Sequence, residues 1–173
     1  MFGFKDRDKD ANKKSSDEST QILVAPGTEI TFKADLIDKY KQDHQHIISI
    51  FNNVLTAVQQ EDSIAMLDRL RNLQIALRKH LLDEELNLYI YLRHCYKDDR
   101  PKQDIINKFK RRSKKVGVET FGFIGKLSEE GYSIKYDETF FNELLEIGNA
   151  LEDLLETEEK HLYTIYRKPF ITA

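Results

Sequence analysis

Residues 77–92 read LRKHLLDEELNLYIYL, and they decide how the rest of the chain folds. Leu77, His80, Glu84, Leu88 and Tyr91 recur three or four residues apart, the repeat of one helix face, and the stripe reaches back through Leu73, Leu70 and Met66. A helix this apolar on one side turns that side inward, so His80 and Glu84 stand where leucines ordinarily would. Ser63 is the expected N-cap and the helix ends near Tyr96.

Three more helices follow from the same repeat. From Asp35 a first helix carries Ile37, Tyr40, His44, Ile47, Phe51, Leu55 and Val58. After KDDRPKQD, Pro101 suits the opening turn of a third helix with Ile105, Phe109, Val116, Phe123 and Leu127 on its stripe, weakened by Gly117, Gly122 and Gly125. A fourth, after SEEGYSIKYDE, carries Phe141, Leu144, Gly148, Leu151, Leu155, Glu158, Leu162 and Ile165, and stops before Pro169. Four long helices with short links predict an all-α protein, an antiparallel up-and-down four-helix bundle over residues 34–168.

Composition agrees. The 173 residues make one domain, and ten Phe with eight Tyr supply a real core, while seven Gly and three Pro are too few for a many-stranded sandwich or barrel. A net charge of −3 shows no global bias toward nucleic acid or an anionic membrane. The single cysteine, Cys95, cannot close an internal disulfide, which suits a reducing, cytoplasmic setting. MFGFKDRDKDANKKSSDEST lacks the apolar stretch of a secretion signal, and no run approaches the roughly 18 apolar residues of a membrane span. Residues 1–20 read as a flexible charged tail and 21–33 as an extended arm punctuated by Pro26 and Gly27.

Two charged stretches invite a functional reading. KFKRRSKK, residues 108–115, is basic, and the fourth helix opposes it with Glu143, Glu146, Glu152, Asp153, Glu156 and Glu159. Complementary outer faces of neighbouring helices explain both, and no nucleic-acid module is recognisable. Nothing points to an enzyme: there is no glycine-rich phosphate loop and no nucleophile with a base in suggestive order, and Cys95 beside His94 is incidental.

The polar residues on inward stripes are the informative anomaly. His44, His80, Glu84 and Glu158 come from three helices, and a buried carboxylate is costly unless paired, protonated or bound to metal. A lone histidine on an apolar face is more often a satisfied core residue than a ligand, and His80 with Glu84 forms an i,i+4 hydrogen-bonding pair in the simplest case. Four such groups at matching heights are a candidate metal site, since imidazole with carboxylate suits iron, manganese or zinc. Without metal, Glu84 and Glu158 face each other, and one must take a proton or pair with His44 or His80. Tyr89 and Tyr91 lie close enough along the chain to support redox chemistry if iron binds. His46 and His161 fall off the stripes.

KQDHQHIISIF (41–51), LRKHLLDEELNLYIYL (77–92) and LLETEEKHLYTIY (154–166) together resemble the hemerythrin-like, or His-His-Glu cation-binding, family, four-helix bundles whose active members hold a non-haem di-iron centre for binding or sensing oxygen. The resemblance implies metal ligation by His44, by the His-x-x-x-Glu of His80 and Glu84, and by Glu158. It also exposes gaps. Setting DEELNLYIYL over TEEKHLYTIY puts Leu154 at a histidine position, and the third helix offers Ser113 at its ligand position. The implied centre is therefore an incomplete di-iron site or a mononuclear one with two histidines and two carboxylates, and the implied role is sensory or regulatory. EIGNALEDLLETEEKHL (146–162) is also similar to the final helix of the regulator-of-sigma-D family, which implies a metal-free protein-binding regulator as the alternative.

Overall fold

The computed structural model describes residues 24–166 apart from 26 and 132–134. The expected tail at 1–20, the start of the arm, Pro26 and the stop at Pro169 lie outside the described residues. The architecture is all-helical. Helix α1 is Leu36–Gln59. Helix α2 opens as Ser63–Asp83, passes through a π-helical segment, Glu84–Tyr89, and resumes as Ile90–Cys95. Helix α3 is Arg100–Glu130. Helix α4 opens as Glu138–Thr157, runs into a second π-helical segment, Glu158–Leu162, and closes with a 3-10 turn, Tyr163–Ile165. None of the described helices is long and apolar enough to cross a membrane.

Aspartates start three of the four. Asp62 accepts from the Ala65 N–H at 2.9 Å, Asp99 from Lys102 at 3.1 Å and Asp137 from Phe140 at 3.0 Å, each satisfying an otherwise unpaired donor for about 1 kcal/mol. Ser63 is thus the first helical residue and Asp62 the cap, one position earlier than its sequence suggests. Pro101 does sit in the first turn of α3. The caps also correct two core assignments. Ile105 and Phe141 are 38% and 43% exposed, and their neighbours Ile106 and Phe140 are buried instead. One residue turns a helix by about 100°, and the phase set at Asp99 and Asp137 directs the neighbour inward.

Side-chain contacts link α1 to α2 at Lys39 with Asp83, His44 with His80 and Arg69 with the Asn53 carbonyl. They link α3 to α4 at Arg112 with Asp153 and Thr157, and at Lys126 with Glu143. Helices α1 and α4 meet closely at Phe51 and Gly148. The buried side chains form two apolar clusters. One gathers Ile47, Phe51, Leu73, Leu77, Val116, Leu151 and Leu155; the other gathers Tyr40, Leu88, Phe109, Leu162 and Tyr163. Ala25, with no exposure, and the partly buried Phe32, stacked on Tyr166 at 5.1 Å, bring residues of the arm onto the second cluster.

Glycines test this packing. A Cβ at Gly148 would lie 2.5 Å from Phe51 Cε1, an overlap that core packing does not absorb, whereas Gly122 has open space around it. Gly148→Ala is expected to destabilise by about 1–2 kcal/mol even after its gain in helix propensity, and Gly122→Ala to stabilise by about 0.5–1 kcal/mol. Urea unfolding of both variants checks the pair; equal effects would contradict the close α1–α4 contact.

Candidate metal centre

Each helix alternates between the two clusters, and the polar residues fall at the change-over. His44 lies between Tyr40 and Ile47, Glu84 between Leu77 and Leu88, Ser113 between Phe109 and Val116, and Glu158 between Leu155 and Leu162. All four are 5% exposed or less, as is His80. The sequence expectation that His44, His80, Glu84 and Glu158 converge is met: one ligand atom from each lies within 4.8 Å of all the others. His46 and His161 are exposed. Leu154, which the resemblance set opposite a histidine, is fully buried in the first cluster.

Both carboxylates stand at the first residue of a π segment. A π turn holds one more residue than an α turn, so the helix presents two successive side chains inward, Leu88 with Tyr89 and Leu162 with Tyr163. The Tyr163 N–H donates to the Glu158 carbonyl, the bond that defines the wider turn. In α2 the Asp83 carbonyl accepts from the Tyr40 hydroxyl at 3.0 Å and from the Asn87 side-chain amide at 3.3 Å. The tyrosines bond crosswise. Tyr163 on α4 donates to Glu84 on α2 at 2.8 Å, and Tyr89 on α2 donates to Glu158 on α4 at a longer 3.4 Å.

Sequence reasoning missed Tyr163, whose hydroxyl also lies 2.8 Å from His44 Nε2. The alignment of DEELNLY with TEEKHLY places it opposite Tyr89 and was the signal available. Tyr91, singled out as a redox candidate, packs instead against Phe32 and Tyr166.

The imidazoles touch each other, Nε2 to Nε2 at 3.1 Å, and each turns its outer nitrogen to a carboxylate about one-third exposed: His44 Nδ1 to Glu159 at 2.9 Å, His80 Nδ1 toward Asp43 at 3.8 Å. A carboxylate that accepts from Nδ1–H fixes the tautomer that leaves Nε2 free as a ligand; Glu159 is placed to do so for His44, and both Nε2 atoms point inward. Three buried atoms of the cluster have no hydrogen-bond partner, His80 Nδ1, Glu84 Oε2 and Glu158 Oε2. Each such orphan costs on the order of 1–3 kcal/mol. A divalent cation fits this donor set: it would satisfy both carboxylates and balance their two charges, with both imidazoles neutral. A cleft of about 420 Å³ between α1 and α2, lined by Asp43, His46, Ile47, Lys79 and His80, leads from solvent to the His80 side.

Without a cation, burial favours the neutral form of each group. Burial pushes the Glu84 carboxyl up to about 8 and raises Glu158 well above the usual carboxylate range, with the neighbouring Glu84 charge adding to it. Burial holds His80 down to about 3, reinforced by the charges of His44 and Lys39, and lowers His44 against the pull of Glu159. His44 approaches Glu158 at 3.8 Å and His80 approaches Glu84 at 3.7 Å, and burial favours the neutral form of each partner. The sequence expectation is that one carboxyl takes a proton or pairs with His44 or His80, and burial shifts both carboxyls toward the protonated form.

No family model matches the chain, and no curated protein or solved structure does either.

These shifts set a pH window for the metal-free chain. Glu84 is raised above its unfolded value of 4.5, so its contribution is full below pH 4.5 and is lost as pH rises through 8. His80 is depressed below its unfolded 6.5, so its contribution is full above pH 6.5 and is lost as pH falls through 3. Chelator-treated protein should melt highest between pH 4.5 and 6.5. It should lose on the order of 10 °C by about pH 9. Glu84→Gln, which fixes the neutral form, should flatten part of the alkaline loss; a melting temperature level across this range contradicts the assignment.

Proposed function

We propose that this chain is a hemerythrin-like metal-binding protein with an incomplete ligand set, holding one ion, iron foremost, at His44, His80, Glu84 and Glu158. Its role is sensory or regulatory rather than catalytic, in a cytoplasmic setting. The observation that carries the reading is the meeting of four buried donors within 4.8 Å with three of their atoms unpartnered. The host is an antiparallel up-and-down four-helix bundle. Supporting this, residue numbers that rise along α1 meet falling numbers along α2, as in His44 with His80 and Asn53 with Arg69. The same holds for α3 and α4, with Arg112 near Asp153 and Lys126 near Glu143. Such bundles build metal sites from side chains on facing helices.

Leu154 and Ser113 leave the α3–α4 side without imidazole, which favours one ion over two. Iron in such a site supplies a redox couple and a position for a small ligand such as dioxygen. The chain's own residues orient His44 through Glu159, exclude water through the two flanking clusters, and exchange protons for the cation at Glu84 and Glu158. One feature favours the alternative, a metal-free regulator that binds another protein: Leu82, Leu86 and Val118 are 57%, 52% and 63% exposed on α2 and α3.

Metal analysis of freshly purified and anaerobically iron-loaded protein separates the two readings. The metal reading expects one ion per chain, a melting temperature raised by iron and lowered by chelator, and net proton release on binding at pH 7 because carboxyls there give up protons. No bound metal with melting indifferent to chelator would overturn it in favour of the partner-binding reading.

A further inference from the structure

The hydroxyl of Tyr163 stands inside the ring of donors, not behind it. It is 2.8 Å from His44 Nε2 and 2.8 Å from Glu84 Oε1, as near to each as the two imidazole nitrogens, at 3.1 Å, are to one another. Donors about 2.1 Å from a shared ion stand about 3 Å apart when they subtend a right angle. Tyr163 is 4% exposed, so it is held in place by the second apolar cluster and the π turn of α4.

Charge makes the same point independently. Two carboxylates balance a divalent ion, but a trivalent ion leaves one positive charge in a core where Glu84 and Glu158 have no exposure at all. The other carboxylates near the imidazoles, Asp43 and Glu159, are about one-third exposed and lie on the outer Nδ1 side. Among the buried groups Tyr163 is the O–H that already touches two of the donors, and as phenolate it would supply the third negative charge. We propose that Tyr163 Oη is a further ligand of this centre, bound as phenolate when the ion is ferric; the inference rests on the metal reading above.

The exchange balances. On oxidation the ferrous ion gives one electron to an added one-electron acceptor, the Tyr163 O–H bond breaks, its proton leaves to solvent, and an oxygen–iron bond replaces the hydrogen bond to Glu84. Phenolate is a hard oxygen donor suited to a trivalent ion, and ferric phenolates absorb visible light by charge transfer from ring to metal. Tyr89 is a built-in control. It occupies the same place in the repeat, but its hydroxyl is 3.4 Å from Glu158 and Ser113 stands on its side in place of an imidazole.

The test uses the full chain loaded with ferrous ammonium sulfate under argon and then oxidised with ferricyanide, with iron content measured beside the spectrum. A visible charge-transfer band should appear only on oxidation, persist in Tyr89→Phe, and fall at least tenfold in Tyr163→Phe while that variant retains its iron. If Tyr163→Phe does not fold, protein labelled with 3-fluorotyrosine replaces it, and the band should move to shorter wavelength. Iron bound without a band, a band retained in Tyr163→Phe, or a band unmoved by fluorination overturns the phenolate assignment and leaves the metal reading standing. A wild-type chain that binds no iron overturns both.

Discussion

A dry core tolerates ionisable groups only if their charges cancel, and that requirement governs this molecule. His44, His80, Glu84 and Glu158 could satisfy it in two ways: with protons on the carboxyls, which burial favours, or with a cation, which their geometry could hold. The first state is complete in charge but not in hydrogen bonding, because His80 Nδ1, Glu84 Oε2 and Glu158 Oε2 find no partner. Those orphans distinguish the cluster from an ordinary buried polar network, in which each member is satisfied.

Local backbone irregularity is what brings the groups together. The two π segments start at Glu84 and Glu158 and turn Tyr89 and Tyr163 inward beside them, so each carboxyl receives a hydroxyl from the opposite helix. The arrangement is close to two-fold in its acids and phenols and lopsided in its bases. Imidazoles from α1 and α2 occupy one side; Ser113 and Leu154 occupy the other. That asymmetry argues for one ion near α1 and α2, with Tyr163 as the nearer phenol.

Much of this was legible in the sequence because apolar periodicity is strong. The stripe from Met66 to Tyr91 is buried throughout, and the polar residues on it converge. Legibility failed where a single residue of phase decides the outcome. Ile105 and Phe141 were on the expected face only until capping at Asp99 and Asp137 fixed the first turn. The π segments leave no mark on a period of 3.6, and without them Tyr163 does not point into the site. The expected third helix runs unbroken through Gly117, Gly122 and Gly125, and Gly117 lets Leu81 approach to 2.7 Å of where a Cβ would be.

The most direct test of the account is anomalous diffraction from crystals of the iron-loaded protein, collected on either side of the iron edge. The account expects one peak per chain, about 2–2.3 Å from His44 Nε2, His80 Nε2 and oxygens of Glu84 and Glu158. A core without a peak, or iron found only on surface carboxylates, would contradict it.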